Sequence, residues 1–382
     1  MYLLKLTTLL MVILTFSSLA VEKVTIGIAA NFTAMSDSMW NPYANYFRDG
    51  VNLALSDFKG NLAKKGIAIE LKQFDYGNEK VAARKVAIEA ANSNAVAVIG
   101  FPYSSEVLLA GDIFNEHKLP FLSPSATADR IGTLGRYVRT CSFNDTFQGA
   151  LLAQAAIKQS LKTTAILSIA DCAFCQSLKK AFKLSFEGAG GKIILDESIL
   201  ESEAASPEVI KKIVDELKTR QIDAFFLPNY ERVSATLIAA LYDSGIRPKI
   251  WLGGDGWGTM SDLFLQIIGK RSIKGLALGH WHKDLSTQAS QTFTNDFRKR
   301  FNKDPLDIAA VSYDAMQILL TAVLNAKTLS RIGVIDALEN IHKFEGITST
   351  IVYKKGERSP SKDAVLMQLK EGRVSLLKRV RQ

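Results

Sequence analysis

The chain has 382 residues, more than one hydrophobic core ordinarily serves, so two domains are the first expectation. With 47% hydrophobic and 22% charged residues, and no low-complexity tract or solenoid repeat, it reads as a soluble globular protein. The formal charge of +9 is scattered along the chain without a nucleic-acid motif or an aromatic-plus-basic stripe, so no nucleic-acid partner is expected.

Lys5 is the only charged side chain before Glu22, Leu9 to Phe16 form an apolar run, and Ser18-Leu19-Ala20 supplies a small-x-small pattern. Residues 1–20 are therefore expected to be a secretory signal peptide cleaved after Ala20. The apolar run falls short of the roughly 20 residues a membrane span needs. No cysteine near the cleavage point suggests a lipoprotein. The mature chain is thus expected in the periplasm or another extracytoplasmic space.

Beyond the leader, short β-rich runs alternate with amphipathic stretches. Val24 to Ala29, Ile67 to Leu71, Ala95 to Gly100 and Pro120 to Ser123 read as strands. Tyr46 to Phe58, Glu79 to Ala91 and Ser105 to Asn115 read as the helices between them. The pattern then restarts. Helices are expected at Gln148–Ser160, Cys175–Phe186, Pro207–Thr219 and Val233–Ser244, with strands at Thr164–Ser168, Lys192–Leu195, Ala224–Leu227 and Ile250–Gly253. A further βα stretch, Gly275 to Leu324, and a hairpin-like end, Ile351 to Leu377, follow. Such alternation means parallel sheets covered on both faces, in two similar α/β halves.

Ligands of open parallel sheets sit beyond the carboxyl ends of the strands, so the loops there are where chemistry should show. No nucleophile elbow, phosphate-cradling loop or His-Glu-x-x-His occurs, so no enzyme activity is expected. His280 and His282 flank Trp281 and are expected to serve a hinge or pocket wall rather than a metal, and no metal or cofactor is expected. Gly254-Asp255-Gly256-Trp257-Gly258 lacks dinucleotide spacing. Its lone carboxylate suits a ligand ammonium, or an ordinary turn. Ser104-Ser105 opens a helix, and Ser125-Ala126-Thr127 follows a strand. Hydroxyls beside free N–H groups there suit a carboxylate, or serve as plain helix caps.

An exported chain with Cys141, Cys172 and Cys175 is expected to carry one disulfide and one leftover thiol. The Cys172-Ala173-Phe174-Cys175 spacing admits a redox dithiol, half a zinc site or a local disulfide. A structural disulfide in a pocket loop is the leading expectation, with a bond to Cys141 left open.

These pieces resemble the type I periplasmic binding proteins of the leucine/isoleucine/valine- and amide-binding family. The resemblance is carried in order by Val98-Ile99-Gly100 with Ser104-Ser105, Pro120 to Ser123 with Ser125-Ala126-Thr127, Arg139 with Gln148-Gly149, Gly253 to Trp257, Tyr313-Asp314-Ala315 and Gly346-Ile347-Thr348. It covers nearly the whole mature chain. It implies an α/β fold of two Rossmann-like lobes with parallel sheets joined by a three-crossover hinge. Lobe I would be 21–143 plus 279–350, and lobe II 144–278 plus 351–382, with the 275–324 stretch returning to lobe I.

The resemblance further implies that Ser104, Ser125, Ala126 and Thr127 hold a ligand carboxylate, Ser125 and Ala126 through backbone groups. Tyr230 and Asp255 would meet the ammonium, and Tyr43 or its neighbour Trp40 would cover the ligand. Phe174 stands where the family often has a tyrosine. Together with Phe101, Tyr103 and Trp257 it would line a pocket or pack the lobes. The partners so implied are a small amino acid or amide and an ABC permease/ATPase complex in the membrane. The alternative is a ligand-sensing subunit for a separate receptor or histidine kinase.

Overall fold

The computed structural model describes residues 21–33, 41–77, 79–258 and 260–382. The expected leader, 1–20, and Trp40 lie outside the described residues.

Five parallel strands, β1 (Glu22–Ala30), β2 (Ile67–Asp75), β3 (Ala95–Gly100), β4 (Phe121–Ser123) and β5 (Val138–Thr140), form a first sheet in the order β2-β1-β3-β4-β5. β1 and β3 are nearly unbroken apolar runs because both faces are covered. The covering helices include α1 (Asn41–Lys64), α2 (Ala82–Ala91) and α3 (Ser104–Glu116).

The chain then crosses to a second sheet. Helices α4 (Asp145–Lys158), α5 (Ala173–Gly188), α6 (Pro207–Leu217), α7 (Glu231–Asp243) and α8 (Asp262–Ile268) alternate with β6 (Thr163–Ile169), β7 (Lys192–Ile199), β8 (Ala224–Phe226), β9 (Ile250–Gly253) and β10 (Lys274–Gly279). α6 shows how sequence sets such a helix. Ser206 caps it, Pro207 occupies its first turn, and Ile210, Ile213, Val214 and Leu217 fall on one buried face.

After β10 the chain returns to the first body with α9 (Gln288–Phe301), α10 (Asp307–Asn325) and α11 (Arg331–Glu339). α10 packs along α1 and α11. By length and composition α10 could cross a membrane, but 83% of its apolar window is buried inside the protein, which makes it a core helix. Arg331 donates to the carbonyls of Ala91, Ser93, Ala95 and His117 and so ties α11 to the loops around β3.

A small antiparallel pair follows, β11 (Lys343–Glu345) with β12 (Thr350–Val352). A third crossing leads to the hairpin β13 (Ala364–Lys370) and β14 (Arg373–Val380). β13 pairs antiparallel with β10, giving the second sheet the order β14-β13-β10-β9-β8-β6-β7.

The structure departs from the sequence reading in three places. β10 lies in the second sheet, so only the part of the 275–324 stretch beyond it returns to the first body. Ile351 belongs to β12, paired with Phe344, and the terminal hairpin starts only at Ala364. β5, α8 and α11 were not expected: β5 has three residues and α8 seven, too few for a periodic signal.

Candidate functional site

The carboxyl ends of the two sheets face each other across a cleft whose empty space, open solvent included, is about 600 Å3. Tyr43, Tyr103, Ser104, Ser125 and Thr127 line it from the first body. Phe174, Tyr230, Glu231 and Asp255 line it from the second, and His280, just beyond β10, stands beside the crossing.

The turn from β3 into α3 builds the first wall. Gly100 (φ 153°) lies against β1 so closely that a Cβ would sit 2.1 Å from the Ala29 carbonyl oxygen. This approach presents the first turn of α3 to the cleft. The Ser104 hydroxyl oxygen accepts the N–H groups of Thr127 (3.2 Å) and Ala128 (3.1 Å). Its own proton is left to donate. Ser125 directs its hydroxyl to the Pro102 carbonyl (2.8 Å), so its side chain braces the loop. Thr127 lines the cleft, and its carbonyl accepts the N–H of buried Asp145 at 3.0 Å.

Ala126 departs from its expected role. It is 1% exposed, is absent from the cleft wall, and donates its N–H to Ser123 Oγ at 3.2 Å. That N–H is committed to shaping the loop.

On the second wall, Asp255 opens a 3-10 turn at the end of β9. Its Oδ1 accepts from Gln148 Nε2 (2.8 Å), its Oδ2 lies 3.0 Å from His280 Nε2, and its N–H donates to Gln148 Oε1 (3.2 Å). Gln148 also donates to Asp145 (2.7 Å). One glutamine thus joins two buried carboxyls, and His280 reaches Asp255 from the crossing. His280 Nδ1 is buried without a hydrogen-bond partner among the described residues. Burial pushes the carboxyl of Asp145 well above its ordinary range, and the neighbouring Asp255 adds to that.

Glu231 begins α7 and accepts from both the N–H and the hydroxyl of Ser261. Burial raises its carboxyl to about 7. Glu106, in the first turn of α3, is likewise raised to about 7 by burial. Asp307, at the start of α10, is raised to about 6 for the same reason and accepts from the Tyr43 hydroxyl at 3.2 Å.

Four aromatic rings form a continuous side of the cleft. Tyr43 stacks on Tyr103 (5.9 Å), Tyr103 meets Tyr230 edge-on (5.2 Å), and Tyr230 stacks on Phe174 (5.1 Å). Phe174 is held there by a disulfide between Cys172 and Cys175 at the head of α5. Gly256 makes room for it, since a Cβ there would sit 2.5 Å from Phe174 Cε1. Cys141 is a buried free thiol.

Two other aromatics are core instead. Trp257 is fully buried, donates its indole N–H to the Leu227 carbonyl (3.0 Å) and packs on Phe264. Phe101 lies among Tyr76, Phe114 and Phe121. Sequence reasoning missed Glu231, Asp145 and Asp307. Glu231 adjoins Tyr230, but nothing in the local pattern of the other two separates them from surface caps.

The family described as "Periplasmic binding protein" matches residues 23–373. The Leu/Ile/Val-binding protein BraC3 of Rhizobium johnstonii is 24% identical over 260 residues, 66% of this chain and 66% of that protein, just under two thirds of its length. Among solved structures, the isoleucine complex of the branched-chain amino acid transporter substrate-binding protein LivJ from Streptococcus pneumoniae superposes with a TM-score of 0.83 at 22% identity, covering 94% of this chain and 100% of that one. The leucine-binding protein LivK of Thermotoga maritima gives 0.81 at 22% identity, covering 94% and 99%. A solute-binding protein of an R. palustris ABC transporter in complex with benzoate gives 0.80 at 20% identity, covering 94% and 97%. With two α/β bodies facing each other across a cleft and a family match spanning nearly its whole length, the chain belongs to the periplasmic binding proteins.

Proposed function

We propose that this protein is the extracytoplasmic solute-binding subunit of an ABC importer and that it captures an amino acid or related amide by lobe closure. Its lobes are taken as 21–143 with 279–350, and 144–278 with 351–382. The reading is supported above all by the opposition of complementary groups across the cleft. Ser104, Ser125 and Thr127, at the head of α3 and in the loop after β4, suit a carboxylate. Tyr230 and Asp255 on the facing wall suit an ammonium. A zwitterion satisfies both walls only when they approach, so it stabilises the closed form by its differential affinity. The names of the relatives, binders of leucine, isoleucine and valine, support the same class of ligand.

A second reading is favoured by one observation. The rings of Tyr43, Tyr103, Tyr230 and Phe174 suit a flat aromatic carboxylate, as in the benzoate-bound relative. Such a ligand would leave Asp255 without a cationic partner from the ligand.

Thermal shift of the purified mature protein tests both. A ligand at 100 times its Kd adds about 2.7 kcal/mol of stability. A rise in Tm with amino acids and none with benzoates supports the amino-acid reading; the opposite pattern replaces it with the aromatic one.

A further inference from the structure

Asp255 faces the cleft, but the groups that hold its carboxylate come from elsewhere in the chain. Gln148, in the first turn of α4, is fully buried and, among the described residues, is not part of the cleft wall. Its side-chain amide meets Asp255 twice: Nε2 donates to Oδ1 at 2.8 Å, and Oε1 accepts the Asp255 N–H at 3.2 Å. The second N–H of the same amide goes to Asp145 Oδ1 at 2.7 Å. The amide can sit only this way round. Turned over, it would set its oxygen against the Asp255 carboxylate and its nitrogen against the Asp255 N–H. Gly254 leaves room for it, since a Cβ there would be 2.8 Å from Gln148 Oε1. The other oxygen of Asp255, Oδ2, lies 3.0 Å from His280 Nε2.

Taking the assignment of Asp255 to the ligand ammonium as the base, we infer that Gln148 is a positioning residue for ammonium recognition, acting on the ligand only through Asp255. An ionised carboxylate accepts at about four sites. Gln148 occupies one on Oδ1 and His280 stands against Oδ2, so acceptor capacity remains on each oxygen for the ligand. Because one amide grips both the carboxylate and the N–H of Asp255, rotating the carboxylate leaves a buried donor unmet, which is costly. The ammonium therefore meets an acceptor whose direction is set before it arrives, as a precise site requires of its outer support. Gln148 stands just beyond the first crossing between the bodies and His280 just beyond the second, so Asp255 is anchored to the hinge as well as to its own loop. The same amide reaches the facing wall: Asp145, its other acceptor, donates its N–H to the Thr127 carbonyl at 3.0 Å.

Calorimetry with L-leucine and with 4-methylpentanoate, which is leucine without its ammonium group, tests this. Gln148→Met keeps the length and removes every polar contact of the amide. Leucine affinity should fall by roughly tenfold or more, while 4-methylpentanoate affinity stays within about twofold. Gln148→Glu retains an acceptor for the Asp255 N–H but sets a third carboxyl against the other two, and should show the same selective loss. In the Asp255→Asn background Gln148→Met should cost leucine nothing further, since the two changes remove one interaction. A merely structural role would weaken both ligands alike and add its cost to that of Asp255→Asn; either result, or an unchanged ratio of the two affinities in both variants, would overturn the inference. Equal binding of the two ligands by the natural protein, or binding of neither, removes the base reading, and the role of Gln148 falls with it.

Discussion

Asp255→Asn is the perturbation whose consequences the geometry fixes most closely. The change removes the charge and keeps the volume, so the 3-10 turn after β9 is preserved. Of the groups around it, Gln148 Nε2 retains Asp145 as an acceptor. Among the described residues His280 hydrogen-bonds Asp255 alone, at 3.0 Å, and its Nδ1 has no partner. The folded protein should lose on the order of 1–3 kcal/mol for a weakened buried imidazole contact. The ligand loses its ion-pair partner in a desolvated cleft, a truncation that costs on the order of 2–5 kcal/mol. Affinity for the best amino acid should thus fall by roughly thirtyfold or more. Calorimetry gives the affinity, and thermal unfolding without ligand gives the fold term separately. Affinity within twofold of the natural protein, in a variant that melts cooperatively, would refute the assignment of Asp255 to the ligand ammonium.

Reducing the Cys172–Cys175 disulfide frees a four-residue turn and should cost about 2 kcal/mol by the chain-entropy relation. Because that turn holds Phe174 against Tyr230, ligand affinity should fall several-fold in the same experiment, and Cys172→Ser with Cys175→Ser should reproduce both effects without reductant. Glu106 predicts a pH dependence. Its carboxyl is raised from 4.5 to about 7 by burial, so the folded state holds a proton that the unfolded state has released. Its contribution is fully present below pH 4.5 and is lost as the pH rises through 7, on the order of 3 kcal/mol in all. Glu106→Gln should flatten that part of a chemical-denaturation profile across pH, and an unaltered slope would contradict the buried carboxyl.

The alternation of apolar runs and amphipathic stretches made both sheets legible. Ala95–Gly100 and Ile250–Gly253 coincide with β3 and β9 to the residue, because strands buried on both faces leave an unbroken apolar signature. The first helix was underestimated at both ends: α1 starts at Asn41 rather than Tyr46 and runs to Lys64 rather than Phe58, since its polar ends carry little periodicity. Ser104, Ser125, Thr127, Tyr230 and Asp255 were legible as residues of the cleft wall because they follow strand ends. Ala126 and Trp257 were misplaced for one reason: position in a loop does not tell which way an N–H or a ring turns, and both turn into the core. The roles of Gln148 and Asp307 depend on neighbours 107 and 264 positions away in the chain, which no local pattern encodes.

The two-walled capture of a zwitterion is tested most directly by calorimetry with one amino acid in three forms: unmodified, N-acetylated, and with the carboxylate converted to an amide. The account predicts measurable binding of the unmodified form and a loss of roughly thirtyfold or more on blocking the ammonium, with a marked loss on neutralising the carboxylate. Equal affinity for the unmodified and N-acetylated forms would contradict it, and would mean that Tyr230 and Asp255 hold the second lobe together rather than the ligand.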